Sequence, residues 1–388
     1  MESGSGPRRA GGGEAEPAGP GPRIAVIGCG QIADAHLHEA RRAGATVAAV
    51  CDTSAHLAEQ AAARFEVPTW FTDPDALLEQ VRPDVVHVTT PPASHLPLAR
   101  RALAAGAHVY VEKPLTVDAA EADRLAEAAR AAGRLVCAGH NLLFDPVIRR
   151  LRALLAAGAL GEVVHVDAMM GYDLAGPFGA LLMADAEHWI HRLPGGLAQN
   201  NLSHPLSLVL PLLGGGDPDV RAVGRRLRPQ RCGDARDLFL DELRVLLEGP
   251  RATATVTFSC RVRPTQLALT VHGTARGAVV SLDARTLRLV EGSKLPGPFQ
   301  KVDWARRDAV AAGRELLERA GDLLGARLHY FEGMKGLFAA FYAAVRGERP
   351  PPIPLDDARA VARVMDRIFT QTQAQPRAAA APAREVAP

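Results

Sequence analysis

The chain has 388 residues, 47% of them apolar and 23% charged, with a formal net charge of +2. This length predicts two domains, and the near-neutral charge, with no Lys/Arg run among aromatic residues, gives no reason to expect nucleic acid or a membrane as a partner. Five widely spaced cysteines without a Cys-x-x-Cys pair argue against disulfides and against a metal site, so we expect a reducing, cytoplasmic location.

Both ends of the chain have the composition of disordered tails. Residues 1–22 and 374–388 are rich in Pro and Ala, with many Gly in the first, and such segments bury too little apolar surface to fold. The Arg8-Arg9 pair is followed by a polar, Gly/Pro-broken stretch rather than by the apolar region of an export signal. No uninterrupted apolar stretch approaches membrane-spanning length, so we predict no membrane association.

Residues 23–140 alternate between short apolar strands and helices. The strands are predicted at 23–27, 46–51, 84–89, 107–111 and 135–138. Between them, a helical stretch after Gly28 runs to about residue 43, and further helices are predicted over 54–64, 96–105 and 118–132. Continuous apolar strands separated by helices indicate a parallel sheet covered on both faces, the α/β Rossmann type. Such sheets bind ligands at the carboxyl ends of their strands, so the turns there are the candidate functional segments.

The first strand ends in a G-x-G-x-x-A sequence that begins at Gly28 and opens a helix. Gly28 and Gly30 permit a tight turn that brings backbone N–H groups, and the positive end of the helix, against a pyrophosphate. Asp52 ends the second strand, where its carboxylate can accept hydrogen bonds from the ribose hydroxyls of adenosine and repel a 2′-phosphate. The sequence therefore predicts NAD rather than NADP. The alternative is that Asp52 merely caps the following helix.

Two further turns at the same edge of the sheet carry polar residues. Thr90-Pro91-Pro92 and His95 follow one strand, and Glu112-Lys113-Pro114 follows the next. A lysine directly after a buried strand is an unusual place for a solvated charge. The alternative is an exposed turn lysine paired with its neighbouring glutamate.

These motifs together resemble the Gfo/Idh/MocA family, named for glucose–fructose oxidoreductase, inositol dehydrogenase and a rhizopine-catabolism protein. The resemblance extends from residue 23 to about residue 372, and its most specific part runs from Thr90 to Pro114. It implies that Lys113 hydrogen-bonds the substrate hydroxyl and the nicotinamide ribose. Motifs and resemblance together assign the cofactor contacts to Gly28, Gly30, Gln31, Ile32, Asp52, Thr90, Pro91, Pro92, His95, Glu112, Lys113 and Asn141.

Residues 141–373 are predicted to form an α+β domain with a large, mostly antiparallel open sheet. Strands are expected at 162–170, 220–227, 238–247, 252–260, 266–273, 277–282 and 286–290, several with the alternation of one buried face. Helices are expected at 310–324, 328–346 and 355–372, with Met334, Phe338 and Phe341 as core residues. The resemblance implies that the open sheet supports a homodimer or homotetramer.

The second catalytic element of the family is a Gly-Gly pair followed by Asp and, four residues later, by His. Here Asn200 stands at the aspartate position and His204 matches the histidine. Residues i and i+4 share one helix face, so both can point into one cleft. His204 then suits proton transfer and Lys113 suits stabilisation of an alkoxide, while an amide at Asn200 can orient the imidazole but not charge-stabilise it. The alternative is that His204 packs at the start of a core helix.

The segment 171–194 is predicted to be a long loop that forms a wall or lid of the substrate site. Within it, Trp189 could stack on a sugar ring, Arg192 could hold a carboxylate or phosphate, and Tyr172 is a further candidate. Ordinary loop packing is the alternative for each. The leading hypothesis is an NAD-dependent oxidoreductase for a secondary alcohol or ketone of a sugar, polyol or related small molecule. The alternatives are an NAD-retaining glycoside hydrolase and a non-catalytic, regulatory dinucleotide-binding protein.

Overall fold

The structure, a computed structural model, describes residues 21–174, 176–185, 187–227, 231–232, 235–236, 240–325, 329 and 331–373. The predicted tails lie outside these residues, apart from residues 21 and 22. Within the described part of the chain, no helix combines the length and apolar character needed to cross a bilayer.

The N-terminal sheet has six parallel strands in the order β3-β2-β1-β4-β5-β6. These are β1 (Arg23–Ile27), β2 (Thr46–Cys51), β3 (Thr69–Phe71), β4 (Val85–Val88), β5 (His108–Val111) and β6 (Val136–Ala138). The helices are α1 (Gln31–Arg42), α2 (Ala55–Arg64), α3 (Pro74–Val81), α4 (His95–Ala104) and α5 (Ala119–Ala132). The predicted parallel Rossmann-type sheet is confirmed. Its strand order reverses between β1 and β4, which places the ligand crevice there.

Two elements of this domain, β3 and α3, were absent from the prediction. The β3 strand is three residues long and exposes Thr69 and Trp70, so it has no apolar run to mark it. Helix α3 does carry a usable signal, because Asp73 caps it through a hydrogen bond from Asp75 N and Pro74 occupies its first position.

Among the described residues, the C-terminal sheet has seven strands in the order β15-β14-β13-β7-β12-β11-β8, all antiparallel neighbours except the parallel pair β7 and β12. Its strands are β7 (Val163–Asp173), β8 (Asp219–Arg225), β11 (Glu242–Glu248), β12 (Thr253–Ser259), β13 (Arg261–Gly273), β14 (Gly277–Ser281) and β15 (Thr286–Val290). Two further strands of two residues each, β9 (Arg231–Cys232) and β10 (Ala235–Arg236), pair with each other in a separate antiparallel sheet. The mostly antiparallel second sheet is therefore confirmed.

The helices of the second half are α6 (Pro146–Ala156), α7 (Pro177–Ala184), α8 (Gly196–Val209), α9 (Phe299–Leu324), α10 (Glu332–Val345) and α11 (Leu355–Gln373). Helix α9 begins eleven residues before the predicted start at 310. The segment 171–194, predicted as a loop, contains α7 and a 3-10 turn (Trp189–Arg192).

The chain returns to the N-terminal sheet after completing the second one. Met334, Phe338 and Phe341 on α10 are fully buried, as predicted for core residues, and they pack with the cluster around β1 and β5. Helix α11 lies between the domains, because Ala358 packs with the N-terminal core while Ile368 packs with the C-terminal core. Helix α11 also packs against α8, so it connects α8 to the N-terminal domain.

Candidate functional site

A cleft of about 1160 Å³ opens at the carboxyl ends of β1, β2, β4 and β5 and extends to α8. Most of the predicted site residues line it. They are Gly28, Gly30, Gln31, Ile32, Asp52, Thr90, Pro91, Pro92, Glu112, Lys113, Trp189 and Asn200. The cleft therefore joins the predicted dinucleotide turn to the predicted catalytic residues.

The glycine turn is built for close approach of a ligand. Gly28 has a φ of +105°, and a Cβ there would lie 2.8 Å from both the Thr89 carbonyl carbon and Thr90 Cγ2. A Cβ at Gly30 would meet nothing within 4 Å, so the space above it belongs to the cleft. Gly30 also begins α1 without any side-chain cap, which leaves the first N–H groups of that helix for an anion. These features fit the pyrophosphate of NAD.

Asp52 joins the glycine turn to the turn after β2. Its Oδ2 accepts from Cys29 N at 2.8 Å and its Oδ1 accepts from Ser54 N at 2.9 Å. The N-cap of α2 is Ser54, whose Oγ accepts from Leu57 N, so Asp52 is not the cap of that helix. Each carboxylate oxygen keeps a lone pair for a ribose hydroxyl.

One cation at this end of the cleft was missed by the sequence reasoning. Arg101 lines the cleft from α4, and its guanidinium pairs with Asp75 at 3.3 Å. It lies almost fifty residues from Asp52 in the sequence, so only the packing of α4 against the sheet brings it here.

His95 lies under the cofactor loops rather than in the cleft wall. The side chain is fully buried, with Nε2 2.8 Å from Thr90 O and Nδ1 3.0 Å from Pro114 O. Burial lowers the pKa of its imidazole. The ring thus packs between the loop after β4 and the turn after β5, and as a neutral imidazole it donates to one of these two carbonyl oxygens. Its direct contact with the cofactor stays a prediction.

Lys113 and α8 meet at the inner end of the cleft. Lys113 Nζ donates to Asn200 Oδ1 at 3.2 Å and to Asn200 O at 3.3 Å. Helix α8 is held in place by buried Gln199, whose Nε2 donates to Val117 O at 2.6 Å, four residues after Lys113. The structure therefore brings together the lysine and the asparagine that the sequence placed at one substrate carbon.

His204 follows Asn200 by one helical turn on α8, as predicted. Its Nδ1 is buried and has no hydrogen-bond partner among the described residues. Burial, and after it the positive charge of Lys113, lower the pKa of His204 to about 3. The imidazole is therefore neutral at physiological pH. The described residues that line the cleft do not include His204, so its role as a proton acceptor stays a prediction.

The buried neutral histidines make stability depend on pH. Burial lowers the pKa of His204 to about 3 and that of His140 to about 4, from an ordinary 6.5. Below about pH 6.5 the unfolded chain binds protons at these histidines and the folded chain does not. The free energy of unfolding therefore decreases as the pH is lowered. Each histidine contributes up to about 1.4 kcal/mol per pH unit in that window.

We expect urea unfolding to show lower stability at about pH 5 than at about pH 7, with a smaller decrease in His140→Leu. The exposed His38 gives the control variant His38→Leu, which should keep the wild-type decrease. An identical pH dependence in His140→Leu would contradict the assignment.

The predicted substrate residues have different surroundings. Trp189 lines the cleft from its 3-10 turn, whereas Arg192 Nη2 donates to Glu187 O at 2.7 Å within its own loop. Tyr172 accepts a hydrogen bond from Asn201 Nδ2 at 2.9 Å, and Asn201 lines the cleft. Roles of these residues toward a substrate stay predictions.

Asn141 lies on the short turn after β6, where its Oδ1 is buried without a partner among the described residues. Its carbonyl oxygen lies against Gly333 of α10. Phe331, directly before α10, lines the cleft. Nothing near Phe331 in the sequence points to the site, because the return of the chain after the second sheet places it there.

Glu112 faces the inner end of the cleft with its carboxylate already engaged. Oε1 lies 3.0 Å from His36 Nε2, and Oε2 accepts from Lys113 N at 3.0 Å. Burial alone would raise the pKa of Glu112, but the hydrogen bond from His36 and the charge of Lys113 outweigh it and hold the pKa below its ordinary value. The carboxylate stays ionised.

Among the described residues, no group of three or more His, Cys, Asp or Glu side chains is arranged to hold a metal.

Two protein families match separate parts of the chain. Residues 22–140 match the family described as "Oxidoreductase family, NAD-binding Rossmann fold", and residues 148–279 match "GFO/IDH/MocA C-terminal domain". The chain is 29% identical to the uncharacterized oxidoreductase YdgJ of Escherichia coli, over 89% of this chain and 94% of that one. It is 32% identical to UDP-N-acetylglucosamine 3-dehydrogenase of Acidithiobacillus ferrooxidans, over 81% of this chain and 92% of that one.

Solved structures show the same fold at lower identity. The WlbA dehydrogenase of Bordetella pertussis, in complex with NADH and UDP-GlcNAcA, has a TM-score of 0.73 and 19% identity, over 90% of this chain and 95% of that one. Levoglucosan dehydrogenase, in complex with NADH and levoglucosan, has a TM-score of 0.73 and 18% identity, over 90% and 97%. With the glycine turn, the Lys113 turn and both sheets in place, the chain belongs to the Gfo/Idh/MocA family of NAD-binding oxidoreductases.

Proposed function

We propose that this oxidoreductase oxidises a secondary alcohol of a sugar, polyol or related small molecule to the ketone, or runs the reverse reaction. The observation that carries the proposal is the contact of Lys113 Nζ with Asn200 at the inner end of a cleft whose outer end holds the glycine turn and Asp52. The 32% identity to a UDP-N-acetylglucosamine 3-dehydrogenase supports a carbohydrate-like substrate.

Gly28, Gly30 and Asp52 would hold NAD, which when bound supplies the acceptor for a hydride. The residues of this chain manage the hydroxyl group. Lys113 donates a hydrogen bond to the substrate oxygen and stabilises the negative charge that develops on it. His204 takes the hydroxyl proton as the C–H bond gives up its hydride and the C=O bond forms. Asn200 orients the ammonium group through the 3.2 Å contact with its side-chain oxygen.

The test is turnover with NAD and a panel of sugars, polyols and nucleotide sugars, followed by NADH formation. We expect NADH to form with at least one substrate of this class and the ketone to form in equal amount. Cleavage of a glycoside without accumulation of NADH would contradict the proposal and favour a hydrolase.

Asp52 is proposed to set the preference for NAD. In Asp52→Asn the repulsion of a 2′-phosphate is lost while Arg101 stays at the same end of the cleft. We expect NADH to bind about tenfold more weakly and NADPH to bind more tightly, because one charge contact is worth about 1.4 kcal/mol. Fluorescence titration with both cofactors measures the change.

The matched control is Asp34→Asn. Asp34 lies on α1 and pairs with Arg64 at the surface, at 2.7 Å, so its charge is removed without touching the cleft. It should keep the wild-type preference. An unchanged preference in Asp52→Asn would show that the selectivity lies elsewhere.

Two further properties also stay proposals. A homodimer or homotetramer would use the open face of the C-terminal sheet, where Val223 and Leu246 are exposed and the core packs on the opposite face. The described cysteines Cys29, Cys51, Cys137 and Cys260 carry free, buried thiols, which supports a reducing, cytoplasmic location.

A further inference from the structure

A chain of buried hydrogen bonds runs from α10 to the inner end of the cleft. Tyr342 Oη lies 3.0 Å from His87 Nε2, His87 Nδ1 lies 3.0 Å from His36 Nδ1, and His36 Nε2 lies 3.0 Å from Glu112 Oε1. Both histidines are fully buried and Tyr342 is 1% exposed. None of these three side chains has a role in the proposed transfer of the hydroxyl proton.

The donors of this chain can be assigned from its end at Glu112. An ionised carboxylate only accepts, so His36 Nε2 must donate to it. With His36 neutral, its Nδ1 accepts from His87 Nδ1, and His87 Nε2 then accepts from the Tyr342 hydroxyl. If His36 is protonated, it donates to both neighbours and the bond to Tyr342 reverses. Glu112 therefore receives an N–H donor from His36 in either state.

Glu112 in turn acts on the adjacent lysine in two ways. Its Oε2 accepts the Lys113 backbone N–H, which fixes the turn after β5, and its charge opposes the lowering of the Lys113 pKa by burial. Of the described residues that line the cleft, the carboxylates are Asp52 and Glu112, and Asp52 lies at the other end. Asn200, which contacts the lysine directly, is neutral. Glu112 is thus the carboxylate at the inner end of the cleft whose charge acts on Lys113, although the two side chains do not approach within the 4 Å of an ion pair.

We propose that His36, supported by His87 and Tyr342, is a positioning residue that fixes the Glu112 carboxylate as the counter-charge of the Lys113 ammonium group. The inference deepens the proposed function, because it concerns the same lysine, and its consequence is that a protonated lysine is maintained without a carboxylate on α8. The rings of Tyr110 and Phe338 pack against His36 at centroid distances of 5.4 and 5.2 Å, which keeps water from competing for the carboxylate.

Other titratable groups also face this pair. Lys113 interacts with His204 on α8, and Glu112 interacts with His95 on α4, with Tyr110 on β5, with His140 after β6 and with His204. Burial lowers the pKa of all three of these histidines, so they are neutral near physiological pH and add no charge beside Glu112 and Lys113.

The test is an NMR titration of lysine side chains in cofactor-free protein labelled with 13C at Cε. The chain has four lysines, Lys113, Lys294, Lys301 and Lys335, so the Lys113 signal is assigned by its loss in Lys113→Arg. We expect the Lys113 titration midpoint to fall by about one pH unit in Glu112→Gln, which removes the nearby negative charge. We expect a smaller fall in His36→Leu, which removes the hydrogen bond that holds this carboxylate ionised and in place. His36→Gln, which keeps an N–H donor toward Glu112, should restore the wild-type midpoint.

The control is His38→Leu on the same helix, where an exposed histidine contacts Glu39, and it should not move the Lys113 signal. If His36→Leu fails to fold, His36→Leu/His87→Leu removes the orphaned imidazole with it and should show the same decrease. A wild-type midpoint in Glu112→Gln, or in either folded leucine variant, overturns the proposal. The titration needs neither cofactor nor substrate, so its outcome is separate from whether Lys113 serves hydride transfer.

Discussion

Replacing Lys113 with methionine is expected to lower kcat by about two to three orders of magnitude while NADH affinity changes by less than about threefold. Methionine keeps an unbranched side chain but removes the ammonium group that contacts Asn200 at 3.2 Å and that would stabilise the developing alkoxide. The contacts of Gly28, Gly30 and Asp52 with the cofactor do not involve this ammonium group, so NADH loses at most the one hydrogen bond that Lys113 is predicted to donate to the nicotinamide ribose. Initial rates of NADH formation and a fluorescence titration with NADH measure the two quantities separately.

Lys301→Met is the control for this variant. Lys301 is exposed on α9, so the same change of side chain should leave both quantities at their wild-type values. Full turnover in Lys113→Met would contradict the role assigned to the lysine, and a non-catalytic protein would remain as the alternative.

Replacing Gly30 with valine is expected to weaken NADH binding by at least about tenfold and to change the free energy of unfolding by less than about 0.5 kcal/mol. Gly30 has φ −74° and ψ −170°, a conformation open to any residue, and a Cβ there meets no atom within 4 Å. The folded chain therefore accepts the side chain, which projects into the space that the pyrophosphate needs. Calorimetric titration with NADH and a thermal melt give the two numbers.

Variants at two other glycines serve as comparisons for Gly30→Val. Gly292→Val, also with no atom of the described residues within 4 Å of its Cβ but outside the cleft, should change neither quantity. Gly28→Val should destabilise the protein itself, since its φ is +105° and the new Cβ would lie 2.8 Å from the Thr89 carbonyl carbon. Unchanged NADH affinity in Gly30→Val would show that the cofactor does not lie over this turn.

The parallel sheet could be predicted because its strands are buried on both faces and read as continuous apolar runs. Strand β3 escaped because it lies at the edge of the sheet and exposes Thr69 and Trp70. Helix α10 could be predicted from the spacing of Met334, Phe338 and Phe341, but not its packing on the first sheet, since helical periodicity does not say which core an apolar face joins.

The residues of the candidate site, too, could be predicted only in part. Gly28, Asp52 and Lys113 lie directly after strands, so the topology of a parallel sheet brings them to one edge. The positions of Arg101 and Phe331 in the cleft depend on contacts between distant segments, which no local pattern records. The direction of a side chain is also set by its surroundings, as for His95, whose ring nitrogens contact buried carbonyl oxygens.

A titration of the folded wild-type protein with NADH and, in parallel, with NADPH tests the assignment of the cleft. We expect saturable binding of NADH that clearly exceeds that of NADPH, because the glycine turn receives the pyrophosphate and Asp52 selects the unphosphorylated ribose. Equal affinity for both cofactors would contradict the role of Asp52. Binding of neither would contradict the assignment of the cleft itself.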